Sequence, residues 1–85
     1  MSVTLSEGAA REFDRLPLTV KRRVLGLFER LEHWPRVSGA KPLRGALSGQ
    51  YRMRTGDWRI RFRVRGDAVT VVRIGHRDQF YEEDA

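Results

Sequence analysis

Four arginines at alternate positions, Arg59, Arg61, Arg63 and Arg65, interleave with Trp58, Ile60, Phe62 and Val64. Successive side chains on a strand point to opposite faces, so this spacing predicts a strand with one apolar face and one arginine face. Like charges on neighbouring same-face positions repel one another, and the fold gains nothing from that repulsion. The arrangement suits an anionic partner instead. Arginine's planar fork donates two hydrogen bonds to one oxyanion, which points to phosphate. Arg52 and Arg54 alternate with Tyr51 and Met53 in the preceding segment. Downstream, Arg73, Gly75 and Arg77 share one parity, and the simplest sheet places Arg73 and Arg77 among the same arginines.

The distribution of charge supports that reading. The net charge is +6, and of 17 cations only Lys21 and Lys41 are lysine. Residues 33–77 carry eleven basic groups against two acids, Asp57 and Asp67, whereas residues 78–85 carry four acids and no base. A positive middle of this kind is expected of a nucleic-acid footprint. The chain has no cysteine, which excludes disulfides and a thiolate zinc site and fits a reducing compartment. No apolar run approaches the ~20 residues that span a bilayer. Met1 to Glu7 lacks the basic and apolar regions of a signal peptide. The expectation is a cytoplasmic protein with no membrane association.

The positioning elements follow from periodicity. At 85 residues the chain reads as one domain, residues 1–85, burying roughly 60–65% of its unfolded surface. Val3 and Leu5 alternate with Ser2 and Thr4, a short first strand. Ser6 is a plausible N-cap, and Ala9, Phe13 and Leu16 recur at helical spacing until Pro17 ends the run. Val20, Val24, Leu27, Phe28, Leu31 and Trp34 form the apolar stripe of a second helix, stopped by Pro35. Lys21, Arg22, Arg23, Glu29, Arg30 and Glu32 lie on its other face. Residues 35–49 read as a connecting loop. Residues 51–54, 58–65 and 69–77 read as three strands joined by tight turns at Gly56-Asp57 and Gly66-Asp67. Residues 78–85 form a polar tail with Phe80 and Tyr81 as anchors.

The layout is β-α-α-β-β-β. It predicts an α+β fold: an N-terminal strand and a helical hairpin packed on one face of a mainly antiparallel sheet of about four strands, the arginine face left open. On that face Val69 and Val71 share the parity of Arg73 and offer apolar contacts to a partner.

An ordered set of short stretches carries a further signal. These are Lys41-Pro42-Leu43-Arg44-Gly45, Leu47-Ser48-Gly49-Gln50-Tyr51-Arg52-Met53-Arg54, Gly56-Asp57-Trp58-Arg59-Ile60-Arg61-Phe62, and Ile74-Gly75-His76-Arg77 followed by Tyr81. The set, with the two-helix start, resembles the RelE/ParE superfamily of bacterial toxins from type II toxin–antitoxin systems. The resemblance implies a RelE-like fold and an acidic antitoxin as partner, in a toxin–antitoxin hetero-oligomer. It also implies cleavage of mRNA, often in the ribosomal A site, without cofactor. Under it, Arg52, Arg54, Arg59, Arg77 and Tyr81 fall on the RNA-binding and catalytic positions, with His76 just before Arg77. The ParE branch implies another outcome, inhibition of DNA gyrase without catalysis, and a degenerate toxin that only binds its antitoxin is a third.

Metal-independent RNA cleavage deprotonates the 2′-OH, stabilises the phosphorane charge and protonates the leaving 5′-oxygen. Arginines supply the second as donors aimed at developing charge, but a guanidinium is no base. Proton transfer falls to His76 or Tyr81. Histidine titrates nearer neutrality, yet parity sets His76 on the helix-facing side unless a bulge at Gly75 turns it. The bland roles are a structural histidine and a packed C-terminal tyrosine. Arg59, beside the turn, is the strongest catalytic arginine, while Arg61, Arg63, Arg65 and Arg73 suit RNA binding or docking. Trp34 and Trp58 read as core. Nothing has metal-ligand spacing.

Overall fold

The computed structural model describes residues 1–80. Strand β1 (Ser2–Leu5) leads into helices α1 (Glu7–Asp14) and α2 (Leu18–Leu31). Strands β2 (Lys41–Pro42), β3 (Gln50–Thr55), β4 (Trp58–Arg65) and β5 (Ala68–His76) follow, and a 3₁₀ turn, Arg77–Phe80, closes the described chain. The sheet order is β1-β5-β4-β3-β2. β1 runs parallel to β5 and every other pair is antiparallel. The sheet thus has five strands where the sequence predicts about four. The extra one is the two-residue β2, a Pro-containing edge piece inside the predicted loop, too short to carry a pattern.

Local chemistry accounts for the helices. Ser6 Oγ accepts the Ala9 N–H at 3.2 Å, capping α1. Pro17, which cannot continue a helix, separates α1 from α2. Val20, Val24, Leu27 and Leu31 bury one stripe of α2 against Met53, Ile60, Phe62, Val69, Val71 and Ile74 of the sheet. Trp34 lies beyond the helix, whose regular part ends at Leu31. Its ring packs edge-on at 4.7 Å from Tyr51 and 5.4 Å from Phe62. Gly56 and Gly66 start the two hairpin turns with φ of 60° and 58°, the left-handed region that two-residue loops demand.

Alternation fails at one place. Arg61 pairs with Arg73, but Phe62 pairs with Val71, so Val72 is an extra residue on β5. This bulge resets parity. Val69, Val71 and Ile74 all point to the helices, and the two valines are fully buried. The expectation that Val69 and Val71 share the face of Arg73 is therefore wrong, because the bulge intervenes between them and Arg73.

Past Val71, β5 outruns its neighbour β1 and leaves an edge. The protein closes it with side chains. Ile74 N–H donates to Glu12 Oε1 of α1 at 2.9 Å, and His76 N–H donates to Gln79 Oε1 at 2.9 Å.

The 77–80 turn also covers part of the arginine face, which the sequence reading leaves open. Gly75 pairs with Arg59 and so shares its face. A Cβ built on Gly75 would lie 2.1 Å from Gln79 Oε1 and 3.2 Å from the Phe80 ring. Phe80 is fully buried there, with the Arg73 guanidinium 4.6 Å from its ring centroid. A side chain at residue 75 would displace the Gln79 amide and crowd the Phe80 ring.

Candidate nucleic-acid interface

Residues facing each other across antiparallel strands share a face, so the register places the cations in rows. Lys41, Arg52, Arg61 and Arg73 form one row across β2, β3, β4 and β5. At roughly 4.8 Å per strand the row spans about 14 Å. A second row pairs Arg54 with Arg59 and ends at Gly75. Arg63 lies opposite Gln50, nearer the other end of the sheet. Arg52, Arg59, Arg61 and Arg73 are half-buried, their stems lying along the sheet, whereas Arg54, Arg63 and Arg65 are exposed.

At the β2–β3 edge the rows open into a cleft of about 520 Å³. Among the described residues it is lined by Arg30, Ser38, Gly39, Lys41, Arg52, Met53, Arg54 and Arg59, five of them cations and none an acid. Arg30 comes from the last turn of α2, and its guanidinium donates to the carbonyl and the hydroxyl of Ser38. Met53, the apolar residue in the lining, is buried. A concavity whose described charges share one sign focuses its field on an incoming anion. Guanidinium groups do not act as bases, so the arginines can bind and polarise a phosphate but cannot take a proton from an attacking hydroxyl.

The other sequence candidates lie elsewhere. His76 pairs with Trp58 on the helix-facing side of the sheet, its ring edge-on at 5.5 Å. The bulge falls at Val72, before Ile74, so the helix-facing parity of His76 stands. Its Nδ1 accepts the Asp78 N–H at 3.3 Å. Arg77 sits in the closing turn, where its N–H donates to the Asp57 carbonyl at 2.7 Å and its exposed guanidinium lies 3.9 Å from the Asp57 and Asp78 carboxylates. The structure thus brings Arg52, Arg54 and Arg59 together around the cleft, with Arg61 and Arg73 in the adjoining row. Arg77 and His76 do not line the cleft. Tyr81 lies outside the described residues. No group of three or more His, Asp or Glu among the described residues could hold a metal ion.

Two cleft residues, Arg30 and Lys41, escaped the sequence reading as site residues. Helical periodicity assigns Arg30 only to the face away from the core, and Lys41 lies in a stretch without periodicity. The usable signal was compositional: Lys41 is a cation directly before Pro42 at the mouth of the arginine strands.

No helix among the described residues is long and apolar enough to cross a membrane. No curated protein matches the chain in sequence. Solved structures do match. A chain of the RelBE2 toxin–antitoxin complex from Mycobacterium tuberculosis superposes with a TM-score of 0.78 at 28% identity, covering 88% of each chain. The RelB–RelE antitoxin–toxin complex from Methanococcus jannaschii gives 0.76 at 21% identity, with 93% of this chain and 95% of that one covered. The isolated RelE toxin of E. coli gives 0.74 at 24% identity, with 96% and 92% covered. The last two show a shared fold. The model of the ParE toxin of type II toxin–antitoxin systems matches residues 3–81, nearly the whole chain, and the protein therefore belongs to this toxin family within the RelE/ParE superfamily.

Proposed function

We propose that this toxin is an endoribonuclease that cuts mRNA by 2′-OH attack, without metal or cofactor, on the translating ribosome. The observation that carries the reading is the cleft: five cations, Arg59 among them, converge on one concavity. In the proposed step the 2′-oxygen forms a bond to phosphorus and the P–O5′ bond breaks. The products are a 2′,3′-cyclic phosphate and a 5′-OH. Arg59, with Arg52 and Arg54 beside it, donates to the non-bridging oxygens as charge gathers on them. Arg61 and Arg73, paired in the adjoining row, hold the backbone beyond it.

The proton transfers are assigned to Tyr81: its phenolate takes the 2′-OH proton, and the phenol so formed gives a proton to the leaving 5′-oxygen. It directly follows Phe80, which is buried against Arg73 and Gly75 on the arginine face. His76 faces the helices, and its Nδ1 takes the Asp78 N–H. Its role in the proposal is to shape the turn that delivers residues 77–80. Arg77 joins the turn to the Asp57 loop in the same way. The partner proposed is a cognate acidic antitoxin: similar folds occur in the RelBE2 and RelB–RelE complexes, and this chain offers a cationic face.

The family match favours a second reading, since it is to the ParE branch, whose resemblance implies gyrase inhibition. A reconstituted translation reaction with end analysis separates the two, run beside a gyrase supercoiling assay. New fragments with cyclic-phosphate and 5′-OH ends are expected. Intact mRNA with blocked supercoiling would replace the nuclease reading by the gyrase one.

A further inference from the structure

Resting on the RNA reading above, we infer that Arg30 and Lys41 form a second phosphate subsite with Ser38, seating the backbone phosphate next to the one cleaved. The scissile phosphate belongs beside Arg59; the neighbouring one lies toward the β2 edge, in the part of the cleft built from outside the long strands. RNA then runs across the strands along the Lys41–Arg52–Arg61–Arg73 row. One end of its path is closed by the 77–80 turn at β5 and the other opens into the cleft.

Three features of Arg30 and Lys41 support the subsite. Arg30 is a preorganised donor, because the Ser38 carbonyl and hydroxyl already hold one of its terminal nitrogens. A guanidinium has five N–H donors in a fixed fork, so donors remain for an oxyanion. Lys41 stands at the sheet edge in register with Arg52, its backbone fixed by pairing with β3. Among the described residues no carboxylate lines the cleft beside either cation, and the fold has no use for their mutual repulsion. Convergence of five cations on one concavity suits a dense oxyanion. The spaced single charges of an acidic peptide match it less well.

The test uses the full chain and a non-cleavable 2′-O-methyl RNA hexamer, with binding read by fluorescence anisotropy across a salt series. Lys41→Gln and Arg30→Gln are expected to bind about 3–10-fold more weakly, each lowering the salt slope by about 0.7, the value for one phosphate contact on a single strand. Lys41→Arg should bind within twofold of the parent. Arg22→Gln, which removes the same charge from the exposed face of α2, should also stay within about twofold, as expected when charges beyond a Debye length are screened. Because Arg30→Gln also releases Ser38, thermal midpoints are compared, and Lys41→Gln decides if the Arg30 variant is destabilised. The inference is overturned if Lys41→Gln binds like Arg22→Gln while Arg52→Gln loses affinity, a result that leaves RNA binding intact. It is equally overturned if Lys41→Gln weakens binding of a polyglutamate peptide and not of RNA. A parent protein with no affinity for the hexamer would remove the RNA reading itself, and the subsite with it.

Discussion

Arg59 and Arg63 occupy the same face of the same strand, yet the account gives them different work. Arg59 is half-buried, lies opposite Arg54 and lines the cleft; Arg63 is exposed and lies outside it. A donor held against the site acts on developing charge, whereas a mobile one contributes attraction. Arg59→Ala should therefore slow cleavage by ~10²–10³ with little change in RNA affinity. Arg63→Ala should leave the cleavage rate of bound RNA unchanged and lower the salt slope of binding by about 0.7. Single-turnover rates and a salt titration separate the two classes. Tyr81→Phe keeps the ring and deletes the hydroxyl; the proposal expects a loss of rate at an unchanged thermal midpoint. The division between the arginine and apolar faces was legible in strict alternation. The cleft was not, since Arg30 and Lys41 reach it from a helix end and a two-residue strand, where no period of 2 or 3.6 reports on side-chain convergence.

The elements show where pattern reading stops. The helices were legible from the Ser6 cap, Pro17 and the Val20–Leu31 stripe, because caps and stripes are local. The bulge at Val72 was hidden by the run Val69-Thr70-Val71-Val72, whose apolar residues occupy both parities and so cannot reveal a reset. The edge closure was hidden too, since Glu12 meets the Ile74 N–H across 62 residues of sequence. Glu12→Ala removes that acceptor and should cost about 1–2 kcal/mol, the usual penalty for an orphaned part-buried donor, seen as a lower denaturant midpoint. Glu12→Gln keeps an Oε1 acceptor and should recover most of it. Phe80→Ala empties the site between Arg73 and Gly75 and should cost about 3 kcal/mol by the usual scale for a buried aromatic. An unchanged midpoint in Phe80→Ala would mean that the 77–80 turn does not hold the arginine face.

At the scale of the whole molecule, the two sides of one sheet have separate duties. The helices and the apolar side chains make the core, and the other side gathers the arginines that the core does not need. Seven half- or fully exposed strand arginines on one surface should make association with an acidic antitoxin fast and strongly slowed by salt, measurable as a falling association rate between about 0.05 and 0.5 M salt. The central claim is that the cleft on this side cuts RNA. Its most direct test is mapping of mRNA 5′ ends after brief induction of the parent toxin and of Arg59→Ala at matched soluble levels. The account predicts abundant new 5′-OH ends with the parent and their loss with Arg59→Ala. Growth arrest by both proteins with no new mRNA ends would contradict it.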